Sequence, residues 1–168
     1  MVDNSRIWAA GGTGYSGYNV LQNTEYINAD GSVDQGPELP YHIDEHCGVN
    51  LNSTHSMLLL GENYDTGDSG STYFFNHQTN QFTEGPRMNR GRYRFACGMF
   101  QKNGRDTIMV AGGYAGNGGY PFDSVEYMYL DELVWQEGKQ HSIESSTYLY
   151  IYFYFEKILY GISNLFII

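Results

Sequence analysis

The sequence predicts an all-β protein, a tandem array of four-stranded antiparallel sheets followed by a non-repeat tail. Three observations predict it. Several markers return about every fifty residues. Short apolar runs of strand length end on glycine. The composition, with 21 glycines and 16 tyrosines, suits short strands joined by tight turns. At 168 residues, 41% hydrophobic and 16% aromatic, the chain can bury a sizeable core.

The repeat region is expected over residues 1–140, in units 6–40, 46–90 and 94–138. Unit one opens at its second strand, RIWAA, stopped by Gly11-Gly12; a third strand follows around Glu25-Tyr26 and an outer one around Val33. Unit two is the type. Its inner strand is His46–Leu51, then a turn at Asn52–Thr54 and the apolar run Ser56–Leu60, ended by Gly61. A glycine-rich loop, Glu62–Gly70, leads to strand three, Ser71–His77. A turn at Gln78–Asn80 precedes the outer strand Gln81–Glu84. Unit three repeats this through Cys97-Gly98, TIMVAGG, SVEYMY and Trp135.

The markers in register are Gly11, Gly61 and Gly112; Pro37 and Pro86; Cys47 and Cys97; and Tyr26, Phe74 and Tyr127. The outer strands are polar, as exposed edges should be. The second strands lack alternation, which predicts cover on both faces. Glycine at their ends lets the chain turn with positive φ and pass close to a neighbouring sheet. Because Glu62 follows Gly61, the second glycine position reads as the less demanding one.

From Ser142 the pattern stops. The tail, 141–168, contains TYLYIYFYFEKILYGISNLFII. Its length suits a membrane span. However, Glu156 and Lys157 fall at its midpoint, where each charge costs about 2.5–3.5 kcal/mol. Tyrosines alternating with apolar residues from Tyr148 to Phe155 favour a strand locally. An AT-rich codon bias also fits translated intron sequence. The three accounts stay open.

A formal net charge of −10 argues against nucleic acid as a partner. Two cysteines are too few for a disulfide scaffold, so Cys47 and Cys97 are expected as buried free thiols on equivalent inner strands. The N-terminal stretch lacks signal-peptide features, so the expectation is cytoplasmic. The sequon Asn52-Ser53-Thr54 would matter only on a secreted chain. The five histidines lack metal-ligand spacing, and GGTGYSG has no helix after it to hold a dinucleotide. No catalytic residue, metal or cofactor is predicted, and the chain is not expected to be an enzyme.

These markers together resemble the Kelch repeat, whose blades build a β-propeller. The resemblance rests on Gly11-Gly12 and Gly112-Gly113, on Tyr26 and Tyr127, on the outer-strand aromatics Phe82 and Trp135, and on Arg92 ahead of an inner strand. Val33 and Glu62 depart from the pattern. It covers about residues 6–138, under three blades, whereas propellers close with four to eight. It therefore implies a propeller fragment whose flanking faces could self-associate. It also implies a protein-interaction module binding a partner through loops on one face, or alternatively a structural, actin-associated role. A remote third possibility is an inactive relative of the galactose oxidases, which need a Cys–Tyr crosslink and histidine ligands.

In such blades the loops after strands two and four share one face. The candidate contacts there are Tyr15, Tyr18, Tyr64, Asp65, Tyr114, Tyr120 and Phe122, aromatics on adaptable glycine loops. Beside them runs PRMNRGRYR, from which Arg90 and Arg92 are expected to hold an acidic peptide. The competing account has the tyrosines folding back on their loops and the arginines paired with neighbouring acids.

Overall fold

The computed structural model describes residues 6–14, 19–63, 65–67, 70–115 and 120–139. Among these the chain is all-β with no helix. Three antiparallel sheets follow in sequence. The first is β1 (Arg6–Ala10), β2 (Thr24–Asn28) and β3 (Val33–Gln35), in that order. A short ladder joins β4 (Ile43–Asp44) to β7 (Glu62–Asn63). The second sheet is β5 (Cys47–Asn50), β6 (His55–Leu59), β8 (Thr72–Asn76) and β9 (Gln81–Glu84). The third is β10 (Ala96–Lys102), β11 (Arg105–Ala111), β12 (Val125–Tyr129) and β13 (Trp135–Glu137). The tail expectation lies outside the described residues.

The second sheet is sandwiched. Met57 and Leu59 pack with Val49 against Cys97, Ile108, Val110, Met128 and Trp135 of the third sheet. The intervening Leu58, with Leu60, packs on Leu39, Ile43, Trp8 and Ala10 on the other side. Met57 to Leu60 are each no more than 1% exposed. Period-two alternation puts neighbours on opposite faces, so an unbroken apolar run is what a strand covered on both sides requires. Fully burying one such side chain is worth about 1.5–3 kcal/mol. Here the missing alternation was the right signal.

Two sequence readings need correction, and both turn on register. Equivalent positions are set by the hydrogen bond that closes each second strand. Gly11 N donates to Asn23 O, Gly112 N to Ser124 O, and Leu60 N to Ser71 O. Leu60 therefore stands in the first glycine place, and Gly61 in the second, beside Gly12 and Gly113. In unit two the second position is the demanding one, and in unit three the second is crowded as well. A Cβ on Gly61 would lie 2.0 Å from Glu45 O, and one on Gly113 would lie 2.7 Å from Tyr93 O. At Gly11, Gly12, Gly112 and Gly113 φ is also positive, so both expected reasons for glycine operate at Gly11 and Gly113.

Cys47 and Cys97 are not free thiols; they form a disulfide between β5 and β10. Nor are they equivalent. Cys47 pairs with Leu59 and Cys97 with Val110, whereas the residue matching Leu59 is Ala111. Cys97 is thus one position along, and a one-residue step moves a side chain to the other face. Each sulfur points at the other's sheet. Had the cysteines matched in register, both would have pointed the same way around the stack and could not have met.

Candidate functional site

Two segments build one patch. The connection entering β10 and the loop leaving β11 are joined by reciprocal bonds: Tyr93 N donates to Tyr114 O at 3.1 Å, and Tyr114 N to Tyr93 O at 2.9 Å. Tyr114 also bridges to Pro121, closing its own loop. The Tyr93 and Tyr114 rings stack, with centroids 5.8 Å apart. Tyr120 is 90% exposed, the largest exposed aromatic surface here, and Phe122 is half-buried beneath Arg90, whose guanidinium carbon lies 5.9 Å from its ring.

Arg90 and Arg94 are the exposed cations of this patch. Arg90 pairs with Glu137 at 3.3 Å. Arg94 has left-handed backbone (φ 54°) and pairs with Glu45 at 2.6 Å, its guanidinium 5.7 Å from the Tyr93 ring. Glu45, just before the neighbouring inner strand, has the same backbone conformation (φ 52°), and its carbonyl accepts from Arg94 N. Arg90–Glu137, exposed on both sides, contributes about 0–1 kcal/mol, whereas Glu45 is part-buried in its pair with Arg94. Arg90 can therefore exchange its partner for another carboxylate at small cost.

Arg92 is the correction. It is 0% exposed and cannot touch a partner. Its guanidinium donates to Gly112 O (2.7 Å), Ser124 O (3.2 Å), Ser124 Oγ (3.3 Å) and Glu126 Oε1 (2.7 Å). Burial lowers its pKa, and the hydrogen bond it donates to Glu126 works against that fall. Glu126, 1% exposed, also accepts from Asn89 N and Arg90 N. Arg92 thus clamps the two carbonyls flanking the glycine exit, in the ion-paired role that had stood as the competing account.

Of the remaining expected contacts, Tyr15, Tyr18 and Tyr64 lie outside the described residues. Asp65 is exposed, accepts from His42 N at 2.8 Å, and so ties its loop to the connection of unit two. That bond, with a second from the His42 ring, holds its carboxyl below the usual range. The residues missed were Tyr93 and Arg94. Both stand in PRMNRGRYR, and their signal was the position two and three residues before Ala96, where a strand entry faces the loop end of its sheet.

Two other polar groupings lie between the sheets. Ser56 Oγ is 2.8 Å from His77 Nε2, and Tyr26 OH is 3.0 Å from His77 Nδ1. All three residues are buried, so no substrate reaches this serine–histidine contact; it links the first two sheets. Among the described residues, one acidic group could hold a cation: Asp44, Glu45 and Glu62, each with one oxygen within 4.8 Å of the others. Thr13 donates to Asp44, Arg94 pairs with Glu45, and Glu62 has a partner too, so these carboxylates are already engaged. His46 sits beside them, its pKa pushed by burial down to about 4. No protein-family model matches the chain, and no curated protein matches it either.

Proposed function

We propose that the chain is part of a Kelch-type β-propeller and serves as a protein-interaction module, docking an acidic peptide on the patch formed by Arg90, Arg94, Tyr93, Tyr114, Tyr120 and Phe122. The observation that carries the reading is the Tyr93–Tyr114 bridge, which brings arginines and aromatics from two separate segments to one place. Guanidinium forks suit carboxylates, and tyrosines add contact area at low entropic cost. No covalent chemistry is implied. Both sulfurs are spent on the disulfide, leaving neither for the thioether of an oxidase.

A second feature supports the propeller itself. Register aligns the row Ile7–Ile27–Val33 with Ser56–Phe75–Phe82 and with Ile108–Met128–Trp135. In units two and three that row packs on the preceding sheet. In unit one it is exposed, Val33 at 54%. A further sheet would cover it. The same row favours a second reading, in which the module works by assembling with other sheets; sedimentation of an Ile27→Lys variant, expected to lose any self-association, tests that one.

The docking reading is tested by fluorescence anisotropy of the full chain with a glutamate-rich peptide and its lysine counterpart. The chain's net charge of −10 opposes general attraction of acids, so acid-selective binding isolates the patch. Changing Arg90→Glu and Arg94→Glu together should weaken binding tenfold or more, about 1.4 kcal/mol. Equal binding by parent and variant rules out the charged patch.

A further inference from the structure

We propose that Asn52 is an N-glycosylation site and that the chain matures in an oxidising secretory compartment. Two independent observations converge on this. The first is the Cys47–Cys97 bridge, which joins separate sheets across 50 residues. Glutathione and thioredoxin keep cytosolic thiols reduced, whereas such bridges persist in secretory lumens. The cytoplasmic expectation rested on the N-terminal stretch, and the free thiols expected beside it form this bridge.

The second observation is the sequon itself. Asn52-Ser53-Thr54 is the one N-x-[ST] sequence in the chain, and it occupies the turn between β5 and β6, where Asn52 and Ser53 are exposed. Asn52 Oδ1 accepts from Thr54 Oγ1, Thr54 N and His55 N, each at 2.9 Å. Three donors on one oxygen fix the amide's orientation. The side-chain nitrogen then has no hydrogen-bond partner among the described residues. The hydroxyl two residues on, which the sequon requires, already touches the amide that would react.

Position also fits. The inner strand β5 enters beside Glu45 and Arg94 and ends at the Asn52 turn. Four residues of strand span about 13 Å, so the turn lies at the opposite end of the sheet from the arginine–tyrosine patch. A bulky, solubilising glycan would leave that patch clear. In the reaction, Asn52 Nδ2 attacks the anomeric carbon of a lipid-pyrophosphate-linked sugar. The nitrogen–carbon bond forms, the carbon–oxygen bond to pyrophosphate breaks, and the lipid pyrophosphate leaves. The nitrogen's proton passes to a base of the transferase. No electrons change hands.

The test uses the full chain isolated from the cells that make it, digested without reductant and treated with a peptide N-glycosidase in heavy-oxygen water. Mass spectrometry should find Asn52 released as aspartate carrying one heavy oxygen, and Cys47 and Cys97 in one linked peptide. Thr54→Ala and Asn52→Gln should each abolish the glycosidase-sensitive mobility shift, while Thr54→Ser keeps it and reports that folding is intact. Recovery of the parent's Asn52 peptide wholly unmodified overturns the proposal. So does a mobility shift that survives Thr54→Ala.

Discussion

Replacing Arg92 by Met separates the arginine that builds the fold from those that face outward. The side chain is fully buried, and four hydrogen bonds are lost with it. Removing one partner of a buried ion pair costs about 3–5 kcal/mol, because the other charge is stranded. Glu126 keeps the Asn89 and Arg90 amides as donors, which moves the expectation toward the low end. The carbonyls of Gly112 and Ser124 each lose a donor, which moves it back up. We therefore expect about 3–5 kcal/mol, read as a lower urea midpoint at unchanged slope. Adding Glu126→Gln removes the stranded charge and keeps an acceptor for one of the two amides, which bond different oxygens. The double variant should therefore recover about 1–2 kcal/mol against additivity. Arg90→Ala, which opens a pair exposed on both sides, should stay within about 1 kcal/mol of the parent. A single Arg92→Met variant that unfolds within about 1 kcal/mol of the parent refutes the clamp. Strict additivity with Glu126→Gln refutes the pairing.

Reducing the Cys47–Cys97 bond, which closes a separation of 50 residues, should cost about 4 kcal/mol on loop-closure grounds. At about 2–4 °C per kcal/mol, that is a fall in Tm of about 8–16 °C by calorimetry. A Cys47→Ser, Cys97→Ser variant should show the same fall and no further response to reductant. His46 has a folded-state pKa lowered by burial to about 4. The unfolded chain thus binds the extra proton between about pH 6.5 and 4, and stability should fall as pH drops through that window, by up to about 1.4 kcal/mol per pH unit. His46→Gln should flatten this part of the urea-midpoint profile. Gly61→Ala puts a Cβ 2.0 Å from Glu45 O and should cost about 2–3 kcal/mol in urea unfolding, whereas Gly48→Ala, with nothing within 4 Å, should leave stability unchanged or raise it.

Strand existence was legible because it rests on local chemistry. An apolar run stopped by glycine needs no knowledge of its neighbours, and β1, β6 and β11 all sit on such runs. Register was not legible, because the repeat spacing drifts within a unit and a shift of one residue reverses a side chain's face. A separation of fifty made the cysteines look equivalent, yet their disulfide depends on their being one place out of step. The β4–β7 ladder was missed for a related reason. PYHIDEH has turn-like composition, and only the crowding at Gly61 brings Ile43 and Asp44 alongside Glu62 and Asn63. Within the candidate patch, the alternating arginines of PRMNRGRYR showed a charged segment but not which guanidinium turned inward. That depended on Glu126, distant in sequence, facing the same seam.

The patch and the seam beneath it divide the energetic work. The part-buried Arg94–Glu45 pair is a small term beside what holds the two sheets in place. Below it, the disulfide and the cluster around Met57, Ile108 and Met128 join those sheets at a cost to separation several times larger. Arg94 is therefore positioned by the fold more than by Glu45. Under the docking proposal, an incoming carboxylate meets a guanidinium whose backbone is already fixed by the Glu45 carbonyl. A cation held in place by the fold suits the proposed capture of an acidic peptide. Opening the disulfide should weaken capture even though neither sulfur touches the peptide.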